Sequence, residues 1–535
     1  MDNQKYLYYT WSASFTGGTF FVSFSEFLLF RQDVFVKHFQ AGAVNKIDPK
    51  KIITPYIGIY KQENMIWKIL LILYIAFLLK LIYDIILEYD NSNPVKTISW
   101  IFAVVFFPLI GMLAYYMVGR NIKKKRSKFK RWRDEFNNRH QRSFEFEETD
   151  SIYNTNRELK KLIYNIEHVP VLKGNEVEVY PSGKIKFEHL LKDIKEAKEH
   201  IHIFYYAIGD DTIGGKMKDE LIEMVEKGVD IRLIYDGLGC NKTRHKYFRE
   251  MEDAGVKVRT FLPLSFPRIL RSINYRNHKK IVIIDGKIAY TGGINVKDEY
   301  INGLAWGKWN DTHFKIQGLG AHGLQSVFLA DWYYVSGEYL DSDKYYPPVE
   351  VWGDSAVQIV NSEPLGLHSN VMEAMLSAIS RAKKYVYIET PYFIPTASLM
   401  RMIQITAMSG IDVRLIVPRR SDNGSVQHAS NTYIESLLRN NVKVYQYTAG
   451  FTHSKLMVID DELVIAGSTN LDVRSLELHF ETNIFIYDKK VAEIVKEIYF
   501  KDIQDSEEIE LESWMKRPAS TKFMEACFRL ASPLF

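Results

Sequence analysis

Residues 278–295 read HKKIVIIDGKIAYTGGIN, and residues 453–470 read HSKLMVIDDELVIAGSTN. Superimposed, the two stretches share His, Lys, Ile, Asp, Gly and Asn at the same offsets, 175 residues apart. Each is a His-x-Lys-x-x-x-x-Asp run followed by Gly-x-x-Asn. The sequence around them repeats as well: AKEHIHIFYYAI from Ala197 parallels AKKYVYIETPYFI from Ala382, KGVDIRLIYD parallels SGIDVRLIVP, and AGVKVRTF parallels NNVKVYQY. In each copy a helix end runs into an apolar strand, so each half reads strand, helix, strand, helix, strand, then the motif strand. The expectation is an α/β fold made of two duplicated half-domains, since a period this long is a domain duplication rather than a solenoid repeat.

Working outward, half 1 spans 166–347 with its motif segment at 272–299, and half 2 spans 348–535 with its motif segment at 447–474. The break falls around Pro347 and Pro348. The copies differ in one stretch. Val258 to His278 is 20 residues, whereas Val444 to His453 is 9, so half 1 has gained eleven residues within LPLSFPRILRSINYRN. Arg268, Arg271 and Arg276 make this insert basic, with apolar residues between them.

A chain of 535 residues exceeds one ordinary core, and 47% apolar with 25% charged residues is the composition of a folded globular protein. Its two cysteines, Cys240 and Cys527, fit neither a disulfide framework nor a metal-ligand spacing. Residues 98–118 (ISWIFAVVFFPLIGMLAYYMV) carry no charge over 21 residues, about what a bilayer core of roughly 30 Å requires. Residues 66–87 are also apolar but hold Lys68, Lys80 and Asp84. Two transmembrane helices are therefore expected within 66–118. The link between them contains Glu88 and Asp90 against Lys96, whereas RNIKKKRSKFKRWR after the second run is strongly basic. The positive-inside rule puts the link outside and the basic linker, 119–165, in the cytoplasm beside an anionic lipid surface. Residues 1–65 form an N-terminal extension without a signal-peptide pattern.

The motif spacing carries chemistry. In a strand, positions i and i+2 share a face. His278 and Lys280 then point one way, as do His453 and Lys455, while Asp285 and Asp460 fall on the opposite parity and support the site. Asn295 and Asn470 return on the next strand, able to donate to an oxyanion. These residues suit phosphodiester exchange: one imidazole attacks phosphorus, the other protonates the departing alkoxide, and two lysines neutralise the nonbridging oxygens. No carboxylate cluster of metal-binding type accompanies them, so neither a metal nor a cofactor is called for.

The paired motifs resemble those of the double-motif phospholipase D superfamily. That resemblance implies a shared cleft on a pseudo-twofold axis, to which each half supplies one His and one Lys. It also aligns Gly293 with Ser468, and Asp311 with Glu481, and implies that Asp311 and Glu481 orient the catalytic histidines. Within the superfamily, TISWIFAVVFFPLIGMLAYYMVGR, AYTGGINVKDEY, ETPYFIP, AGSTNLDVRSLELHFE and the terminal SPLF are similar to bacterial cardiolipin synthases. The resemblance implies transfer of a phosphatidyl group between two phosphatidylglycerol molecules, giving cardiolipin and glycerol through a phosphohistidine intermediate, and by analogy it favours His278 over His453 as the nucleophile. The implied setting is a multi-pass protein of the cell membrane with a cytoplasmic catalytic domain. Its partners would be phosphatidylglycerol and the anionic membrane, with Arg268 and Arg271 as headgroup contacts, and no nucleic acid. The alternative is a membrane-bound phospholipase D that uses water as acceptor.

Overall fold

The computed structural model describes residues 49–88, 94–119, 156–264, 274–364 and 369–532. The chain forms two units, Met1–Asp84 and Ile85–Phe535. In the first, a helix runs from Pro49 and continues to Glu88, 40 residues in all. It therefore begins inside the stretch expected to be an extension. Met65–Leu87 is long and apolar enough to cross a membrane, and only 11% of its apolar window is buried, unlike the core helix of a soluble protein. The charges that weakened this segment in sequence offset one another: Lys80 Nζ lies 2.7 Å from Asp84 Oδ2, one helical turn on.

The second unit holds a fifteen-stranded sheet that runs through both halves. In half 1 the spatial order is Lys257–Phe261, Asp230–Asp236, His200–Tyr205, Lys280–Ile284, Ile288–Gly292, His313–Gln317 and Leu172–Tyr180. Half 2 repeats it in reverse, from Ser355–Ser362 through Glu481–Tyr487, Leu463–Gly467, Leu456–Ile459, Tyr385–Glu389 and Asp412–Pro418 to Lys443–Tyr447, with Ser506–Glu508 added at the edge. Leu172–Tyr180 and Ser355–Ser362 pair antiparallel, so the two copies meet edge to edge on a local twofold. The alternation in the strands decides the layers. On one face, Ile281 and Ile283 join helices Leu319–Ser336 and Lys489–Gln504 in a core common to both halves. On the other, Val282 and Ile284 join a core belonging to half 1, and the equivalent face of half 2 has its own.

Two expectations need correction. The helix Arg157–Glu167, which the sequence reading divides between linker and half 1, packs on half 2: Leu159 and Ile163 enter that core, and Glu167 Oε1 accepts from the backbone N–H of Asn361 at 3.0 Å. The uncharged run 98–118 is not one continuous helix. It is broken into the helices Pro94–Phe106 and Pro108–Ala114, the latter continuing as a π-helical turn to Gly119. Pro108 has no N–H to extend the first helix, and its ring restricts Phe107, which sits at φ −126° and ψ 67°, outside the helical region.

Candidate active site

Each motif histidine lies just before a strand of the central sheet, where the chain leaves the sheet and meets the other half. Backbone pairing fixes the crossing. The N–H of His278 donates to Phe480 O at 2.9 Å, and that of Phe480 to Arg276 O at 2.8 Å. On the other side of the axis, Lys308–Asn310 pairs in parallel with Gly450–Thr452, and the N–H of His453 donates to Asn310 O at 2.6 Å. Each histidine is thus hydrogen-bonded through its backbone to the segment that carries an acid in the opposite half.

The acids follow the crossing. Asp311 of half 1 places Oδ2 2.7 Å from Nδ1 of His453, and Glu481 of half 2 places Oε1 3.3 Å from Nδ1 of His278. Both carboxyls are buried, at 1% and 0% exposure, so each can fix an imidazole without competition from water. Lys455 Nζ sits 3.0 Å from Nδ1 and 3.2 Å from Nε2 of His453. Lys280 Nζ donates to His278 O at 2.5 Å and lies 5.5 Å above the Tyr206 ring.

The two half-sites differ in what holds the acid. Ser468 Oγ donates to Glu481 Oε2 at 2.5 Å. At the matching place in half 1 stands Gly293, where a Cβ would lie 2.0 Å from Asp311 Oδ1. The shorter acid therefore fits only because that residue has no side chain. Its Oδ1 accepts instead from the N–H of Thr312 at 2.8 Å.

Burial governs the electrostatics. It pushes both His278 and His453 well below the usual histidine range, and the neighbouring lysines act in the same direction. It lowers Lys280 to about 7 and Lys455 to about 8, although Glu481 and Asp311 pull the other way. It raises Asp311 to about 7 against the attraction of Lys455. Asp311 and His453 are best regarded as one pair that keeps a shared proton until near-neutral pH, because a buried site resists carrying either charge alone.

Asp285 and Asp460, grouped with the motif, are not in the cleft. Each occupies a left-handed turn, at φ 51° and 56°. Asp285 accepts from the backbone N–H groups of Lys198, Glu199 and His200 at 2.8–3.0 Å. Asp460 accepts from those of Lys383, Lys384 and Tyr385 at 2.6–3.0 Å. They lash the motif hairpin to the neighbouring strand at the end remote from the histidine. Asn295 is buried near the cleft, but its Nδ2 donates to Tyr300 Oη at 2.6 Å and its Oδ1 accepts from Ala207 N–H at 3.3 Å. Asn470 is equally buried. Arg276, expected on a basic surface insert, is 1% exposed; its guanidinium donates to Leu262 O at 3.0 Å and faces Asp236 at 3.8 Å. Arg268 and Arg271 lie outside the described residues.

Two residues at the site were not singled out in sequence. The His479 ring packs 4.2 Å from the His278 ring, with Nδ1 3.8 Å from Glu481, and burial beside His278 lowers it to about 3. Tyr206 covers the other side of His278, also at 4.2 Å. His479 is two residues before Glu481, so the alternation that pairs His with Lys in the motif was a usable signal. His278, His479 and Glu481 bring three ligand-type atoms within 4.8 Å of one another, and this cluster is the half-site itself.

A family described as "Cardiolipin synthase, PLD-like domain" matches residues 190–304 and 375–503, one stretch in each half, and "Phospholipase_D-nuclease N-terminal" matches 72–120. The chain is 37% identical to a cardiolipin synthase of Alkalihalophilus pseudofirmus, covering 86% of this chain and 93% of that one. It is 36% identical to the major cardiolipin synthase of Bacillus subtilis, covering 87% of this chain and 99% of that one. Among solved structures, phosphatidylserine synthase of Haemophilus influenzae superimposes with a TM-score of 0.55 at 15% identity, covering 71% of this chain and all of that one, a likeness of fold.

Proposed function

The chain belongs to the phospholipase D-like cardiolipin synthases, and on that premise we propose how its residues divide the work. The enzyme is a phosphatidyltransferase that makes cardiolipin. In the proposed reaction, Nε2 of His278 attacks the phosphorus of one phosphatidylglycerol. The bond from phosphorus to the headgroup glycerol oxygen breaks, and Nε2–H of His453 protonates that oxygen, so glycerol leaves neutral. A phosphatidyl group remains on His278. A hydroxyl of the second phosphatidylglycerol then attacks phosphorus while His453 removes its proton, and the phosphorus–nitrogen bond breaks to release cardiolipin.

The observation that carries this reading is the crossed pairing of Asp311 with His453 and Glu481 with His278. An acid on Nδ1 aims Nε2 at the substrate and sets its tautomer. The proton shared by Asp311 and His453 suits His453 to acid and base work near neutral pH. Lys280 and Lys455 neutralise the nonbridging oxygens, and Asn295 and Asn470 are proposed to support the cleft. Arg268 and Arg271 are proposed to receive headgroup phosphates. The site is assigned to the cytoplasmic face of the cell membrane because the basic stretch after Arg120 suits that face.

The test is the product distribution. Purified enzyme in vesicles of phosphatidylglycerol labelled in both acyl chain and headgroup is expected to yield cardiolipin and glycerol in equal amounts. Phosphatidic acid as the main lipid product would replace this reading with hydrolysis, water being the acceptor.

A further inference from the structure

The helices Pro94–Phe106 and Pro108–Ala114 fold back on one another. In a straight helix, Trp100 and Tyr115 would be separated by roughly 22 Å along the axis. Their rings are instead 5.7 Å apart. A Cβ on Gly111 would lie 2.0 Å from Ala103 O, a backbone approach that only glycine permits and that resembles small-residue packing between membrane helices. A Cβ on Gly119 would meet the Trp100 ring at 2.7 Å, so the end of the second arm returns beside the first. The turn at Phe107–Pro108 is compatible with lipid. Phe107 N–H donates to Ala103 O at 3.0 Å, Gly111 N–H donates to Phe107 O at 2.5 Å, and Pro108 has no donor to leave unpaired.

The arms are about 20 Å long, against roughly 30 Å for a bilayer core. Each arm alone is shorter than that core is thick. The outer surface is nonetheless that of a lipid-facing helix: Phe102, Phe106, Phe107, Leu109, Ile110 and Leu113 are 56–82% exposed, and no charge occurs between Lys96 and Gly119. Trp100, Tyr115 and Tyr116 cluster about 10 Å from the tip, as interfacial aromatics do at the edge of a leaflet. The base of the hairpin meets the catalytic part of the same unit. Asn274, four residues before His278, donates from Nδ2 to Met117 O at 3.3 Å. The charge of Lys96 acts on Glu477, four residues before Glu481.

We propose that Pro94–Gly119 is a re-entrant hairpin whose partner is the acyl layer of a single leaflet. It enters and leaves the membrane on the catalytic face and sets the His278–Glu481 half of the site at the height of the headgroups in that leaflet. The link before Pro94 and the basic stretch after Gly119 then share one face, and Met65–Leu87 is the crossing among the described residues. This reverses the two-span expectation, which put the link outside. The proposal rests on the phospholipid reading of the site for its purpose, but its topology is independent of turnover.

The test uses Val95→Cys, Leu109→Cys and Lys516→Cys separately in the full-length protein in membranes, on a Cys527→Ser background, with an impermeant maleimide. In intact cells all three are expected to stay unlabelled. In inverted membranes Val95→Cys and Lys516→Cys are expected to react while Leu109→Cys does not, and detergent then exposes Leu109→Cys. Labelling of Val95→Cys in intact cells while Lys516→Cys is protected would overturn the proposal in favour of two spans. Ready reaction of Leu109→Cys in inverted membranes without detergent would overturn the lipid contact. As a second measurement, Leu109→Asp with Ile110→Asp is expected to lower turnover of phosphatidylglycerol in vesicles about tenfold or more while sparing a short-chain soluble analogue. Equal loss on both substrates, with the protein folded, would mean that the hairpin shapes the catalytic centre rather than its approach to lipid. Failure of the functional reading would show separately, as the wrong lipid product from the unaltered enzyme.

Discussion

The half-site around His453 is tight and the one around His278 is shared. Asp311 gives one oxygen to Thr312 N–H and the other to His453 at 2.7 Å. Glu481 divides itself among Ser468, His278 at 3.3 Å and His479 at 3.8 Å. The same duplicated scaffold therefore offers one histidine a short bond to an acid whose proton comes off near neutrality, and gives the other a looser hold between two aromatic rings. Duplication makes two equal sites. Two differences, glycine for serine beside the acid and aspartate for glutamate as the acid itself, make them unequal.

The largest test of that inequality removes each histidine in turn. His278→Ala and His453→Ala are each expected to lower steady-state turnover by about 10⁴-fold or more, since the two act as a unit. They should differ in a single turnover: His453→Ala still accumulates phosphatidyl-enzyme and His278→Ala does not, measured by acid quench and adduct mapping. An adduct on His453 reverses the roles.

Exchanging the residues that hold the acids comes next. Gly293→Ser forces Asp311 away from His453, and a loss of about 10- to 100-fold in kcat is expected, the scale typical of an orienting partner. Ser468→Gly removes the hydrogen bond to Glu481 and the one accepted from Thr482 N–H, but leaves the acid room to stay, and should cost only about 2- to 10-fold. Equal losses would mean that the two acids are not held differently.

The lysines give a pH dependence. With Lys280 at about 7 and Lys455 at about 8, each loses its proton as pH rises through those values, so the cleft becomes less attractive to phosphate. The kcat/KM for phosphatidylglycerol is expected to fall as pH rises through about 7 to 8, and Lys455→Arg should flatten the upper part of that limb, because arginine stays charged while Lys280 still titrates. An unchanged profile in Lys455→Arg would remove Lys455 from phosphate binding. The smallest effect is expected for His479→Asn, about 2- to 5-fold in kcat, since it takes one weak contact from Glu481 and leaves the Ser468 bond.

Much of this was legible in the chain. The duplicated α/β halves and the four motif residues follow from a repeat that keeps each at a fixed offset, whereas the acids, 33 residues after His278 and 28 after His453, were pointed out by the family resemblance. The parity of a strand also separates Asp285 and Asp460 from the histidines. Other features depend on distant partners. Arg276 looked like a surface cation, yet Asp236 and Leu262 O surround it. Residues 98–118 had the length and composition of a span, but hydropathy counts apolar residues and does not register that Pro108 turns the chain while Gly111 allows it to return.

What the sequence determined by itself was the inventory: two copies, two histidines and two lysines, because local spacing fixes which side chains share a strand face, with the two acids added by the family resemblance. What only the tertiary structure decided was the pairing. Asp311 serves His453 and Glu481 serves His278 because Lys308–Asn310 and Gly450–Thr452 pair across the twofold, as do Asn277 and Phe480. A pairing across halves joins residues 142 positions apart in one case and 203 in the other. No local periodicity reaches that far, so packing alone decides which acid serves which histidine.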